Sequence, residues 1–124
     1  MRLLIVPTTI ILLAFSVACN PCQEEVSFRD TQPGGSILAV IAIRECGATT
    51  GSNTLLYLHR DTLIPWDSED DVIIGIEDPQ WLQAKWVDHD SILVTRLKDV
   101  PPEKIFKQST ESRGIKISYT VVPR

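Results

Sequence analysis

The sequence predicts an all-β domain, a small antiparallel sheet arranged as a sandwich or open barrel of six to seven short strands. Three observations carry that prediction. Apolar side chains recur at every second residue in several short runs. Clusters of Gly, Pro, Asn, Asp and Ser separate those runs. Past the N-terminal segment, almost nothing sustains the period of an amphipathic helix.

The elements follow in order. Residues 23–30 are short and mixed, with Val26 and Phe28 expected on one face, and suit an edge strand. Thr31-Gln32-Pro33-Gly34 places Pro and Gly at the centre of a type II turn, which Gly35 extends. Residues 36–45 are apolar on both faces, with Ile37, Ala39, Ile41 and Ile43 on one and Leu38, Val40 and Ala42 on the other. Such a strand belongs in the middle of a sheet, covered on both sides. A loop of small polar residues, 47–53, leads to a strand over 54–60, then to a long acidic connection, 61–71, containing Pro65 and Trp66. Residues 72–76 are rich in β-branched side chains and read as a strand. After a turn at Asp78-Pro79, residues 81–87 and 91–97 bracket Asp88-His89-Asp90 as a hairpin. Trp86 is expected in the core with Trp81 half-buried beside it. Residues 100–107 are expected to hold one helical turn, because Pro and Glu suit a first turn. Glu111-Ser112-Arg113-Gly114 is turn chemistry. Ile115, Ile117, Tyr119 and Val121 then alternate with Lys116, Ser118 and Thr120 in a half-exposed strand.

The N-terminus reads as an address. Arg2 is followed by an uncharged apolar stretch that ends in the small residues Ser16 and Ala18, the layout of a secretory signal. Residues 10–18 are too few to cross a bilayer, which takes about 20 residues, and Pro7-Thr8-Thr9 interrupts any count begun at Leu3. A retained transmembrane anchor is therefore disfavoured. Phe15-Ser16-Val17-Ala18-Cys19 resembles the lipobox of bacterial lipoproteins, although Leu is more usual where Ser16 stands. That resemblance implies removal of residues 1–18, acylation of Cys19 by chains such as palmitate, and one extracytoplasmic domain over 19–124 held to the membrane by its N-terminal lipid. Asn20 follows the cysteine, which implies the outer membrane if the host has two membranes. The competing reading is ordinary cleavage after Ala18, releasing a soluble protein with a free Cys19.

Export brings thiols into an oxidising compartment, where cysteines pair. With Cys19 acylated, Cys22 and Cys46 remain, and a bridge between them closes a loop of about 25 residues, worth on the order of 3 kcal/mol. Cys19-Asn20-Pro21-Cys22 also spells the Cys-x-x-Cys of redox enzymes, but no βαβ pattern or helix start accompanies it to depress a thiol pKa. A structural bridge is expected. The net charge of −4 argues against nucleic acid and against a polybasic grip on anionic lipid.

The run Ile41-Ala42-Ile43-Arg44-Glu45-Cys46-Gly47-Ala48-Thr49-Thr50-Gly51 is similar to a stretch of small exported bacterial proteins, many of them lipoproteins. In those, a hydrophobic strand runs into Cys-Gly-Ala-Thr-Thr and another strand follows. The strand over 72–76, the Trp-containing hairpin over 85–94 and the alternation over 115–119 are similar too. The resemblance implies a fold and a location, and it brings no cofactor and no catalytic residue.

Residues 46–51 are the candidate binding loop. Gly47 and Gly51 permit unusual backbone angles, and exposed amides with the Thr49 and Thr50 hydroxyls suit an anion or a peptide carboxylate. The competing reading is a strand connection whose threonines satisfy local backbone groups. Trp66, in its acidic loop, is the candidate exposed contact residue. Asp67-Ser68-Glu69-Asp70-Asp71 lacks EF-hand spacing, and His59 and His89, near Asp61, Asp88 and Asp90, lack the partners of a zinc site, so no metal is assigned. No spacing fixes Ser, His and Asp in one geometry, so no catalytic residue is assigned. The expected protein is a lipid-anchored, non-enzymatic envelope module that meets another envelope protein or a wall component and carries no cofactor. Its alternatives are a soluble secreted inhibitor or effector, and a small metal-dependent hydrolase using His59, His89 and the acidic loop.

Overall fold

The doubly apolar strand organises the architecture. In the computed structural model, which describes residues 22–47, 51–60 and 72–124, it is β2 (Ile37–Glu45). β1 (Gln23–Thr31) and β3 (Ser52–Arg60) flank it in an antiparallel meander. β4 (Val72–Glu77) and, from much later in the chain, β7 (Ile105–Gln108) complete a five-stranded sheet in the order β1-β2-β3-β4-β7. β5 (Leu82–Asp88), β6 (Ser91–Leu97), β8 (Glu111–Ser112) and β9 (Ile115–Val122) form a second sheet in the order β5-β6-β9-β8. The fold is all-β, as the sequence predicts, in two sheets that do not close into a barrel. The described residues contain nine strands where six or seven were expected.

Both additional strands come from the stretch after β6. The expected helical turn shrinks to a 3-10 turn at Pro102–Lys104. From Ile105 the chain pairs with β4 instead, and Ile105 packs against the core. Ladder pairing and burial there outweigh the weak helix signal of one Pro and one Glu. Glu111 and Ser112 pair with β9 across Arg113-Gly114, whose φ values of 54° and 80° are those of a tight two-residue hairpin turn. One pairing departs from the antiparallel expectation: β9 lies parallel to β6, with Ile92 opposite Ile117. The chain leaves β6, adds β7 to the other sheet, and returns, which supplies the long crossover that a parallel pair needs.

The core fills the space between the sheets. Ile37, Ala39 and Ile41 of β2, Leu56 and Leu58 of β3, and Ile73, Ile74 and Ile76 of β4 meet Leu82, Ala84, Trp86, Ile92, Val94, Ile115 and Ile117 from the other sheet. Each large apolar side chain so buried contributes about 1.5–3 kcal/mol, most of which is offset by the entropy of ordering the chain. Val40 and Ala42, on the opposite face of β2, are buried as well, so the strand is covered on both sides as expected. On that face the Tyr57 hydroxyl reaches from β3 past β2 and donates to Glu24 Oε1 of β1 at 2.6 Å, while Arg44 Nη2 meets Glu24 Oε2 at 3.0 Å. Val26 and Phe28 do not share a face. A β-bulge at Ser27 inserts one residue, so Val26 stands opposite Ala42 while Phe28 stands opposite Ile41 and packs against the core.

Polar groups tie the layers together at particular points. Trp86 Nε1 donates to the Asp30 carbonyl at 3.1 Å, and Gln32 Nε2 donates to the His89 carbonyl. Gln32 also begins the type II turn: the Gly35 N–H donates to its carbonyl at 3.1 Å, with Gly34 at φ 70°. At the other end of β1 the expected disulfide joins Cys22 to Cys46, one cross-strand pair beyond Gln23 and Glu45, with the Cα atoms 4.0 Å apart. Tyr119 of β9 places its hydroxyl among the Ser109 and Ile73 carbonyls, linking the second sheet to β4.

Reducing the disulfide, or replacing both Cys22 and Cys46 by Ala, is expected to lower the unfolding free energy by about 2–4 kcal/mol. Urea melts with and without dithiothreitol measure this, and an unmoved midpoint would contradict the stapling role. Burial pushes the Tyr119 phenol up to about 12 from its ordinary 10.0. A raised folded-state pKa favours the protonated form, so its stabilisation is complete below pH 10 and is lost as the pH approaches 12. Absorbance titration of the phenolate is expected to show a late step that Tyr119→Phe removes.

Candidate functional site

The strand register delivers the predicted binding loop to one end of the five-stranded sheet. Cys46 is committed to the disulfide there, and Gly47 and Gly51 both stand at positive φ, 123° and 72°, as their proposed backbone freedom requires. Thr49 and Thr50 lie outside the described residues, as do Cys19, Trp66, Asp61 and the acidic run over 67–71.

Two adjoining hollows open beside the described parts of this loop. One, of about 280 Å³, is lined by Arg44, Cys46, Asn53, Leu55, Val72, Phe106 and Lys107. The other, of about 420 Å³, is lined by Gly51, Ser52, Asn53, Glu77, Asp78 and Phe106. Asn53 and Phe106 belong to both. Phe106 is 51% exposed, and its ring lies over Gly75 so closely that a Cβ there would come within 2.4 Å of it. Phe106 is the extra residue between Ile105 and Lys107, which pair with Ile76 and Gly75 of β4, and alternation from the core-packed Ile105 turns its ring outward. The sequence reading missed this residue by assigning 100–107 to a helical turn. The signal that was present is an apolar pair, Ile105-Phe106, running into Lys107-Gln108 as a short strand.

Next to these hollows a buried hydroxyl fixes the turn between β4 and β5. Thr54 is 1% exposed; its Oγ1 donates to the Asp78 carbonyl at 2.9 Å and accepts the Gln80 N–H at 2.8 Å. Asp78 itself stands at φ 70°, and its N–H donates to the Ser52 carbonyl at 2.8 Å. The Asp78 carboxylate pairs with Lys104, which raises the Lys104 ammonium above its ordinary pKa. The surface so built has an exposed aromatic ring, an apolar floor at Leu55 and Val72, an amide at Asn53 and charges around its rim. That is the chemistry of recognition by contact.

The histidines are not brought together. His59 stands on the outer face of the five-stranded sheet opposite Leu38, whereas His89 occupies the tip of the β5–β6 hairpin in the other sheet. Around His89, the residues Asp88, His89 and Asp90 each offer a ligand atom, all within 4.8 Å of one another. These carboxylates serve the turn: Asp88 Oδ1 accepts the Asp90 N–H at 3.1 Å, and Asp90 Oδ1 accepts the Ser91 hydroxyl at 3.3 Å. Hydrogen bonding with Asp90 holds the Asp88 carboxyl below the usual carboxylate range. Trp86 is core, as expected, but Trp81 is 47% exposed and lies ahead of β5, at the opposite end of the strand from Trp86.

Compared with protein-family models, with curated proteins and with solved structures, the chain matches none. Among the described residues no helix is long and apolar enough to cross a membrane.

Thr54→Val keeps the shape of this clamp but strands the Asp78 carbonyl and the Gln80 N–H. It is expected to cost about 1–3 kcal/mol. Denaturant melts check this, and a cost near zero would mean that water takes over both partners.

Proposed function

We propose that the protein is a lipid-anchored module of the bacterial cell envelope, whose β domain binds another envelope protein or a wall component and catalyses no reaction. The observation that carries this reading concerns sulfur. Of three cysteines the disulfide consumes Cys22 and Cys46, which leaves Cys19 as the one thiol free for acylation. Cys19 directly follows the small residue that ends the apolar leader, as in a lipobox. Each acyl methylene buried in a bilayer adds about 0.8 kcal/mol, so two chains hold where one does not.

Chain length then orients the domain. Only Asn20 and Pro21 separate Cys19 from Cys22. At no more than about 3.6 Å per residue, the acylated residue stays within about 11 Å of the disulfide. Any pull on the lipid enters β1 and β2 together through the bridge. The hollows around Phe106 lie at this anchored end, which suits contact with a neighbour held at the same membrane.

Metabolic labelling with an alkyne fatty acid tests the anchor. The processed protein is expected to carry label and to partition into the detergent phase, and Cys19→Ser is expected to abolish both. Absence of label, or label that survives Cys19→Ser, would remove the lipoprotein reading and favour a soluble secreted protein.

A further inference from the structure

The sandwich is closed along one part of its β1–β5 side and open along another. Among the described residues both strands are sheet edges, each paired on one flank only. The Trp86–Asp30 hydrogen bond draws them together near the β1–β2 turn. Towards the start of β5 the sheets part around a hollow of about 380 Å³, within the range of ligand pockets. Phe28, Ile41, Ile43, Trp81 and Leu82 supply its apolar surface, and Ser27, Gln80 and Gln83 stand among them. Two features already described shape it. The bulge at Ser27 turns Phe28 inward, and the Thr54 clamp on Gln80 fixes the turn that carries Trp81.

The hollow continues along the sheet into a smaller recess of about 140 Å³ that shares Ile43 and is lined by Gln23, Glu24, Glu25 and Glu45. Register explains the continuity. Glu25 pairs with Ile43, and Glu45 lies two residues beyond Ile43, so all three side chains share the face that runs out from under the second sheet. Glu24 is on the other face, neutralised by Arg44. Glu25 and Glu45 are exposed, and neither takes part in an ion pair among the described residues. Among the described residues no Lys, Arg or His lines either recess. The described surface is therefore an apolar slot that ends in two carboxylates with no cation beside them among the described residues.

We infer that this open edge docks an extended peptide, which seats an apolar side chain against Phe28, Ile41 and Leu82 and directs a lysine or arginine two residues away at Glu25 and Glu45. The spacing follows from strand geometry. Glu25 is level with Ile43 and so stands about 7 Å along the strands from Ile41, the interval at which side chains two apart on an extended ligand share a face, and Glu45 lies one such interval further, towards the tip of a long cationic side chain. The apolar slot gives such a ligand its affinity, and the carboxylates select its cation and reject acidic sequences. This inference rests on the reading of the domain as a binding module and names its partner chemistry; it is independent of the lipid, so the two can fail separately.

The test is an NMR titration of the ¹⁵N-labelled, processed protein in detergent with a capped pentapeptide, threonine-leucine-threonine-lysine-threonine. Saturable shifts are expected at the amides of Ser27 and Ile43 and at the Trp81 indole. Glu25→Gln combined with Glu45→Gln is expected to weaken binding about tenfold without changing Tm, since both residues are exposed. Trp81→Ala is expected to weaken it as well. Any of three results overturns the proposal: no saturable shift at these positions, equal affinity in the double variant, or equal affinity for a peptide whose leucine is replaced by serine. The last would mean that charge alone attracts the probe.

Discussion

Strand β2 carries isoleucine and alanine towards one side and valine and alanine towards the other, and water has to be kept from both. Neither side can be satisfied by the hairpins next to it in sequence. The inner side requires a second sheet, which the chain assembles from its C-terminal half. On the outer side the Tyr57 hydroxyl passes β2 to reach Glu24, whose charge Arg44 balances. Burial of this one strand thus determines both that there are two layers and that β1, β2 and β3 must be locked in register. The disulfide at the end of β1 holds that register where the hydrogen-bonded ladder would otherwise fray.

Seen from β2, the two ends of the sandwich differ in kind. At the β1–β2 turn the layers are tied by Gln32 to His89 and by Trp86 to Asp30, and polar groups there are spent on holding the fold. At the disulfide end the five-stranded sheet extends beyond its partner, so apolar and charged side chains of β1, β2 and β3 are left with solvent on one side. Every hollow described above lies towards that end. In the sequence only Asn20 and Pro21 separate the cysteine proposed to carry lipid from the bridged Cys22. The proposed anchor and the proposed recognition surface would thereby be neighbours, an arrangement suited to meeting other membrane-held molecules.

Much of the candidate site was legible only in outline. The bracketing glycines at 47 and 51 were readable because positive φ is a local property that residue type reveals. Phe106, which forms the wall between the two hollows, was not. The stretch that carries it becomes a strand only by pairing with β4, far earlier in the chain, and no short window of sequence contains both. Nor was the facing of Phe28 legible. Alternation assigns it to the face of Val26, and one inserted residue at Ser27 reverses the assignment. A period of two is a reliable guide to facing until a bulge shifts it by one, after which every inference along that strand inverts.

The sequence by itself determined the all-β class, the central place of β2, the turn at Pro33-Gly34 and the β5–β6 hairpin. These depend on side-chain periodicity and on the backbone preferences of Gly and Pro, which are written locally; a bridge between Cys22 and Cys46 was expected only if Cys19 is acylated, and the folded sheet brings the two together. Tertiary structure alone decided that β9 lies parallel to β6, that residues 105–108 form an edge strand of the opposite sheet, and that the β1 and β5 edges part to leave a slot. Alternation states which side of a strand is apolar but not which strand will cover it. That choice is made by the packing of the whole chain, where the burial of many side chains is satisfied at once.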